Sequence, residues 1–276
     1  MNIKLLSYAK INPYLKILRK RPDGYHELDL EFQSISLADY LCLEKDPQIS
    51  IQCEPSVTSK PTDNIVWKIA TKMQKKYGSK DGVKITIKKN IPTQAGLGGG
   101  SSNAAVTIIG LNYLWGLDLT REQLITFGKQ FGSDIAFFFL GGRAQGLGRG
   151  EKINKLPDLP KKYLVLVKPH IGIPTSWAYK RFSLKEPLLY KENHLENVTI
   201  KEYPIIKDIK EKLLTLGATK ALMSGSGSTV FGIMKNKKDA EQAINHFSDT
   251  DFWTKVCYTT NQGVAVLPEK FPFSFI

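Results

Sequence analysis

The chain has 276 residues, 42% hydrophobic and 10% aromatic, which suits two domains of ordinary size or one large one and supplies substantial cores. Lys+Arg number 39 against 26 Asp+Glu, and the formal charge of +13 favours anionic partners such as nucleic acid, anionic membrane or phosphorylated small molecules; the lysines are scattered, however, with no uninterrupted basic tail of the kind that binds nucleic acid. The three cysteines, Cys42, Cys53 and Cys257, contain no C-x-x-C pair, which argues against a disulfide framework or zinc site and for a reducing compartment.

Asn2 to Arg21 reads as strand, with Ile3, Leu5, Ile11, Leu15 and Ile17 separated by polar residues. Lys10 breaks the N-terminal apolar run early, so no secretory leader is expected. Lys10 and Asn12 sit two apart and share one face of a strand. They are either solvated surface or a cation and an amide aimed into a cleft. Pro22, Asp23 and Gly24 make a turn that then presents Tyr25 and His26. Tyr25 offers a stacking face and His26 a ring suited to a base edge, although a loop tyrosine can also simply pack. Glu31 to Leu43 returns as strand. Ile65, Val66, Ile69, Ala70 and Met73 then form a helical pattern that Asp63 or a neighbour could cap, ending near Gly78.

Val83 to Lys88 alternates apolar and polar as a half-buried strand does, and Ala104, Ala105, Ile108, Leu111 and Leu114 recur at helical spacing. Between them lies the most informative stretch, Ile91 to Ala105. Gly96, Gly98, Gly99 and Gly100 let the backbone turn and a ligand approach it, and a helix starting near Ser101 points free N–H groups and its positive dipole end into that turn. This is the construction of an anion site, most often for phosphate. No Gly-Lys-Ser/Thr closes it, so it is not a P-loop. It is not a dinucleotide fingerprint either: the third glycine position is Ser101, and the downstream acid, Asp118, leads into a helix start.

Thr120, with Gln123 at the matching position, reads as the capping box of a helix running to about Gln130. Asp134 is a lone carboxylate ahead of the apolar run Ile135 to Leu140, a run far too short to span a bilayer. It is either a helix cap or a carboxylate paired with a cation such as Lys10 in a partly dry site. Glycine-rich turns follow to Gly150, and Leu156 to Pro160 reads as a boundary, dividing the chain into units 1–155 and 156–276. The second unit reads strand (Tyr163 to Val167), helix (Ser176 to Phe182), a charged mixed stretch, helix (Pro204 to Leu216), strand, a small-residue loop (Ser224 to Gly232), helix (Lys238 to Phe247) and a last strand at Lys255 to Tyr258 or Gly263 to Leu267.

Three separated motifs, AKIN at Ala9 to Asn12, PTQAGLGGGSSNAA at Pro92 to Ala105 and SGSGSTVFG at Ser224 to Gly232, resemble those of the GHMP kinases, which include galactokinase and homoserine, mevalonate and phosphomevalonate kinases. RPDGYHEL at Arg21 to Leu28 and GSDIAFF at Gly132 to Phe138 are similar to the branch whose acceptor is a cytidine diphosphate-linked methylerythritol, in the non-mevalonate route to isoprenoid precursors. The resemblance implies an α+β fold of two domains, the first like the second domain of ribosomal protein S5 and the second ferredoxin-like, with the site between them. It implies ATP as phosphoryl donor, with Mg²⁺ expected but no protein ligand identified, and the acceptor's 2-hydroxyl as the site of transfer. By the same resemblance Lys10 and Asp134 are catalytic, and Asn12, Tyr25, His26 and Tyr179 bind the acceptor, the two tyrosines holding the cytosine. ATP falls to Pro92, Thr93, Gln94, Ala95, Gly96, Leu97, Gly98, Gly99, Gly100, Ser101 and Ser102, with Asn64 and Ile65 beside the adenine. The chain departs from the family at Pro13, which could shift Asn12, at Ala136, and at Asn103, which removes a possible carboxylate near the phosphates. The expected protein is cytoplasmic, a monomer or weak homodimer, with no nucleic-acid or membrane partner. The competing expectations are a homoserine- or mevalonate-type kinase of the same family and, from the charge, an RNA-binding protein.

Overall fold

A computed structural model describes residues 1–268. In chain order the first unit is β1 (Asn2–Lys20), β2 (His26–Asp46), β3 (Ile49–Glu54), α1 (Ile65–Tyr77), β4 (Gly82–Lys88), α2 (Gly99–Leu114), α3 (Arg121–Gly128), the single turn α4 (Ile135–Phe138), β5 (Arg143–Gly148) and β6 (Lys152–Lys155). The second is β7 (Tyr163–Lys168), α5 (Thr175–Arg181), α6 (Glu196–Glu202), α7 (Ile205–Thr215), β8 (Lys220–Met223), β9 (Val230–Met234), α8 (Lys237–Asn245), β10 (Trp253–Tyr258) and β11 (Val264–Val266).

The second unit carries an antiparallel sheet in the order β10-β7-β9-β8. With helices between β7 and β8 and between β9 and β10, this is the split βαβ arrangement of a ferredoxin-like fold. The first sheet runs β11-β1-β2-β4-β3, with β5 and β6 continuing from β2. The chain therefore crosses the 155/156 boundary twice, because β11 returns to pair with β1, Leu5 opposite Val266. Ala9, Ile11, Ile35 and Leu37 of the first sheet share one apolar cluster with Leu164, Leu166, Leu222 and Phe231 of the second. The two sheets thus bury each other, at roughly 1.5–3 kcal/mol for each large side chain removed from water.

β1 explains how a lysine and an asparagine come to point inward. Its pairing with β2 shifts register between Tyr8 and Ala9 and again between Ile11 and Tyr14. A strand alternates faces, so each bulge exchanges them. Leu5, Leu15 and Ile17 belong to the core under the helices, whereas Ala9 and Ile11 face the second sheet. Over that short span Lys10 and Asn12 therefore turn toward the helices. Pro13 lies inside the second shift, and its carbonyl accepts from Lys220 Nζ at 3.2 Å.

Helix ends follow local chemistry. Asn64, not Asp63, caps α1 by accepting from the Val66 N–H at 3.0 Å, and Gly78 ends that helix at φ +70°. Thr120 and Gln123 form the capping box of α3. Thr120→Ala is expected to lower stability by about 1 kcal/mol with turnover unchanged, read by thermal melting beside a kinase assay.

Candidate active site

The β4–α2 connection is a tight loop. Gln94, Gly96 and Gly98 all have positive φ, at +49°, +71° and +70°. Gly96 has no room for a side chain: a Cβ there would lie 1.9 Å from the Ser224 carbonyl oxygen of the small-residue loop between β8 and β9. A Cβ at Gly98 would meet Phe138 at 2.8 Å and the Lys10 stem at 3.0 Å, whereas one at Gly100 would meet nothing within 4 Å. The first ladder bond of α2 is from Ser102 N–H to the Gly98 carbonyl, at 2.9 Å. The N–H groups of Gly99, Gly100 and Ser101 therefore have no intrahelical acceptor and form the positive end of a sixteen-residue helix.

This helix start opens onto a cavity of about 820 Å³. Its walls gather Lys10, Asn12, Tyr25, His26, Asp134, Tyr179 and residues 92–101 from β1, the β1–β2 turn, the loop, α4 and α5. Three expected ATP residues stand elsewhere. Ser102 is buried and its hydroxyl accepts from Ser7 Oγ at 2.7 Å, while Asn64 and Ile65 lie at the start of α1, the Asn64 amide occupied as its cap. A second cavity of about 860 Å³ adjoins the first, sharing Lys89, Pro92 and Thr93 with it and adding Val57 and Trp253.

At the centre, the Lys10 side chain is 4% exposed. Its ammonium donates to Asn12 Oδ1 at 2.5 Å and to the Gly96 carbonyl at 2.7 Å, and lies 3.9 Å from Asp134 Oδ2. Asn12 is itself fixed, its amide nitrogen donating to the Glu31 carbonyl at 2.9 Å. Burial pushes the Lys10 ammonium below its ordinary value, and the Asp134 charge opposes that. Asp134 stands at the start of α4, makes no capping bond, and is 36% exposed. Its carboxylate is free to act toward the cavity, where it is the one acid among the described lining residues.

One end of the cavity is a box of rings. His26 stacks on Tyr179, centroids 5.5 Å apart and planes 25° apart, and meets Phe182 edge-on at 6.4 Å. Burial, then Lys20, lower the His26 pKa, so its ring is neutral near pH 7. Burial, then Asp134, raise that of Tyr179. Tyr25 is exposed, and the Arg149 guanidinium covers it at 4.6 Å.

Sequence reasoning missed what lies beneath the loop. Asp39, fully buried in β2, accepts from Lys89, from the N–H groups of Asn90 and Ile91 at 2.7 and 2.8 Å, and from Asn103 Nδ2 at 2.9 Å. Asn103 also donates to Ser7 and accepts from Lys89. The Asn103 side chain therefore faces this buried cluster and not the phosphate side, where a carboxylate would confront Asp39. A lone acid among Leu37, Ala38, Tyr40 and Leu41 was the available signal, the same one that marks Asp134. Arg149, in a glycine-rich turn, carried no comparable signal.

Known proteins bear on this arrangement. Residues 64–142 match the N-terminal domain pattern of the GHMP kinases and residues 179–250 the C-terminal pattern. The chain is 40% identical to the 4-diphosphocytidyl-2-C-methyl-D-erythritol kinase of Acetivibrio thermocellus, over 94% of this chain and 98% of that one. It is 40% identical to the enzyme of the same name from a Listeria monocytogenes strain, over 89% and 92%. A crystal structure of 4-(cytidine 5'-diphospho)-2C-methyl-D-erythritol kinase superimposes with a TM-score of 0.79 at 29% identity, covering 92% of this chain and 99% of that one. Homoserine kinase from Cytophaga hutchinsonii shares the fold, at a TM-score of 0.72 and 18% identity over 96% and 97%.

Proposed function

This chain belongs to the GHMP kinase family, among its 4-diphosphocytidyl-2-C-methyl-D-erythritol kinases, and from that membership we propose that it transfers the ATP γ-phosphoryl group to the acceptor's 2-hydroxyl. The observation that carries the mechanism is the meeting, in one cavity, of a free helix start, a buried lysine facing a carboxylate, and a box of rings.

Phosphoryl transfer asks mainly for positioning and charge stabilisation. The N–H groups of Gly99, Gly100 and Ser101 hold the ATP phosphates, and the adenosine half extends into the second cavity past Pro92 and Thr93. The acceptor hydroxyl sits between Lys10 and Asp134. Two of the lysine's three donors are taken by Asn12 and Gly96, which leaves the third to hold the reacting oxygen. Asp134 accepts the hydroxyl proton, and Lys10 offsets the negative charge that develops. At the far end Tyr25, His26 and Tyr179 take the cytosine, and Lys20, Arg149 and Lys180 supply positive charge for the diphosphate. Asp134 being the one acid among the described residues of the wall, Mg²⁺ would be held chiefly by the ATP phosphates and water, a mode that suits this small, hard cation and supplies charge neutralisation.

The test is ATP consumption by the purified chain: turnover with the cytidylylated methylerythritol and none with homoserine or mevalonate is expected, and the converse would reassign the acceptor. Tyr25→Ala is expected to raise the acceptor KM by about 5- to 150-fold, as loss of roughly 1–3 kcal/mol of stacking implies, with ATP KM nearly unchanged. Equal losses for both substrates would place Tyr25 outside the acceptor box.

A further inference from the structure

The segment 192–196, the end of the α5–α6 connection and the first residue of α6, lines neither cavity, yet it ties β1 to the small-residue loop. On one side it is bound to β1 just beyond Asn12. Leu15 N–H donates to the Glu192 carbonyl at 2.8 Å, His194 N–H to the Leu15 carbonyl at 2.9 Å, and Ile17 N–H to His194 Nδ1 at 3.0 Å. On the other side it grips the loop between β8 and β9. Asn193, fully buried, donates from Nδ2 to the carbonyls of both Met223 and Gly225 at 2.8 Å, while its Oδ1 accepts from Leu195 N–H at 3.0 Å. Glu196 accepts the Met223 N–H at 2.7 Å and is paired with Lys210.

The object being held is Gly225. Its φ is +56°, and a Cβ on it would lie 3.1 Å from Lys10 Nζ and 3.1 Å from Asn12 Oδ1. Bare backbone is thus packed against the head of the lysine, and no flexible side chain intervenes to absorb a shift. The neighbouring His194 has a separate target. Its ring stacks on Phe182 at 5.9 Å, and Phe182 meets His26 of the acceptor box.

We propose that Asn193 is a positioning residue for phosphoryl transfer, holding Gly225 against Lys10 and Asn12, while His194 in the same strut supports the acceptor's ring box through Phe182. This rests on Lys10 as the cation at the reacting centre. Two adjacent residues then act on different constants, because one arm ends at the reacting groups and the other at the binding rings.

The test is steady-state kinetics with ATP and the cytidylylated acceptor, each variant checked by thermal melting. Asn193→Ala is expected to lower kcat about tenfold or more with acceptor KM within about threefold, since a small displacement of a reacting group acts on the chemical step. His194→Ala is expected to do the reverse, raising acceptor KM about fivefold with kcat nearly kept. If Asn193→Ala gives no cooperative melt, Asn193→Ser, which retains one donor, replaces it with a smaller kcat loss of the same sign. A folded Asn193 variant with wild-type kcat overturns the proposal, as does a proportional change in every constant. Failure of both Asn193 variants to fold also overturns it, by making the residue merely structural. Lys10→Ala is measured alongside. If that variant turns over normally, the underlying assignment of the reacting centre fails; if it is inactive while the Asn193 variants are normal, the strut alone fails.

Discussion

Asp134→Asn is expected to lower kcat by roughly 10²–10⁴, the usual contribution of a positioned general base, while both KM values stay within a few-fold. The substitution keeps shape and removes only the capacity to take a proton. Asp134 makes no capping bond and the described residues form only one ion pair with it, to Lys10 at 3.9 Å, so little of the fold depends on its charge. Stability should therefore be almost unchanged, and a melting curve run with the kinetics separates the two effects. Wild-type turnover would remove Asp134 as the base. The pH profile adds a second readout. Burial lowers the Lys10 pKa, with Asp134 as the charge facing it, so the wild-type rate should fall as pH rises through a value below the ordinary 10.5 of lysine. Loss of the Asp134 charge withdraws the one opposing influence and should move that alkaline limb to lower pH.

The parts of this site legible in the sequence are those written locally. Glycines ahead of a helical repeat placed the start of α2 to within two residues, and the Thr120 box marked α3, because turn conformation and capping depend on a few adjacent residues. The facing of Lys10 and Asn12 was legible only as a choice. Their spacing put them on one face, but two bulges decide which face points at the cavity, and a bulge is a property of strand pairing that one strand's residues do not state. Hidden altogether were features assembled from distant segments. Asp39, Lys89 and Asn103 clip the loop from below across tens of residues, and Arg149 reaches Tyr25 from a turn with no motif of its own. The burial of the Ser102 side chain has the same origin. The residue belongs to the serine pair of the motif, yet one step along a helix rotates it into the core, where Ser7 meets it.

That distinction within one motif gives the second large effect, at Gly96 against Gly100. Gly96→Ala is expected to destabilise the protein by about 3 kcal/mol or more, combining the cost of a left-handed non-glycine residue with forced overpacking. Its φ is +71°, and the added Cβ would fall 1.9 Å from a backbone oxygen that cannot rotate away. At roughly 2–4 °C per kcal/mol for a chain of this size, the melting temperature should drop by on the order of 10 °C. Activity should suffer beyond that, because the Gly96 carbonyl receives both Lys10 Nζ and Ser224 Oγ, so prising the two loops apart also moves the lysine. Gly100→Ala carries the opposite sign for stability. Its φ is not left-handed, a Cβ there meets no protein atom, and alanine in the first turn of α2 should be neutral or stabilising by up to about 1 kcal/mol. The space that Cβ enters is the cavity itself, so the cost appears as a raised KM for ATP with the acceptor KM preserved. A Gly96 variant that melts like the wild type would overturn the packing of this loop against Ser224, and a Gly100 variant that binds ATP normally would mean that the phosphates do not sit at this helix start.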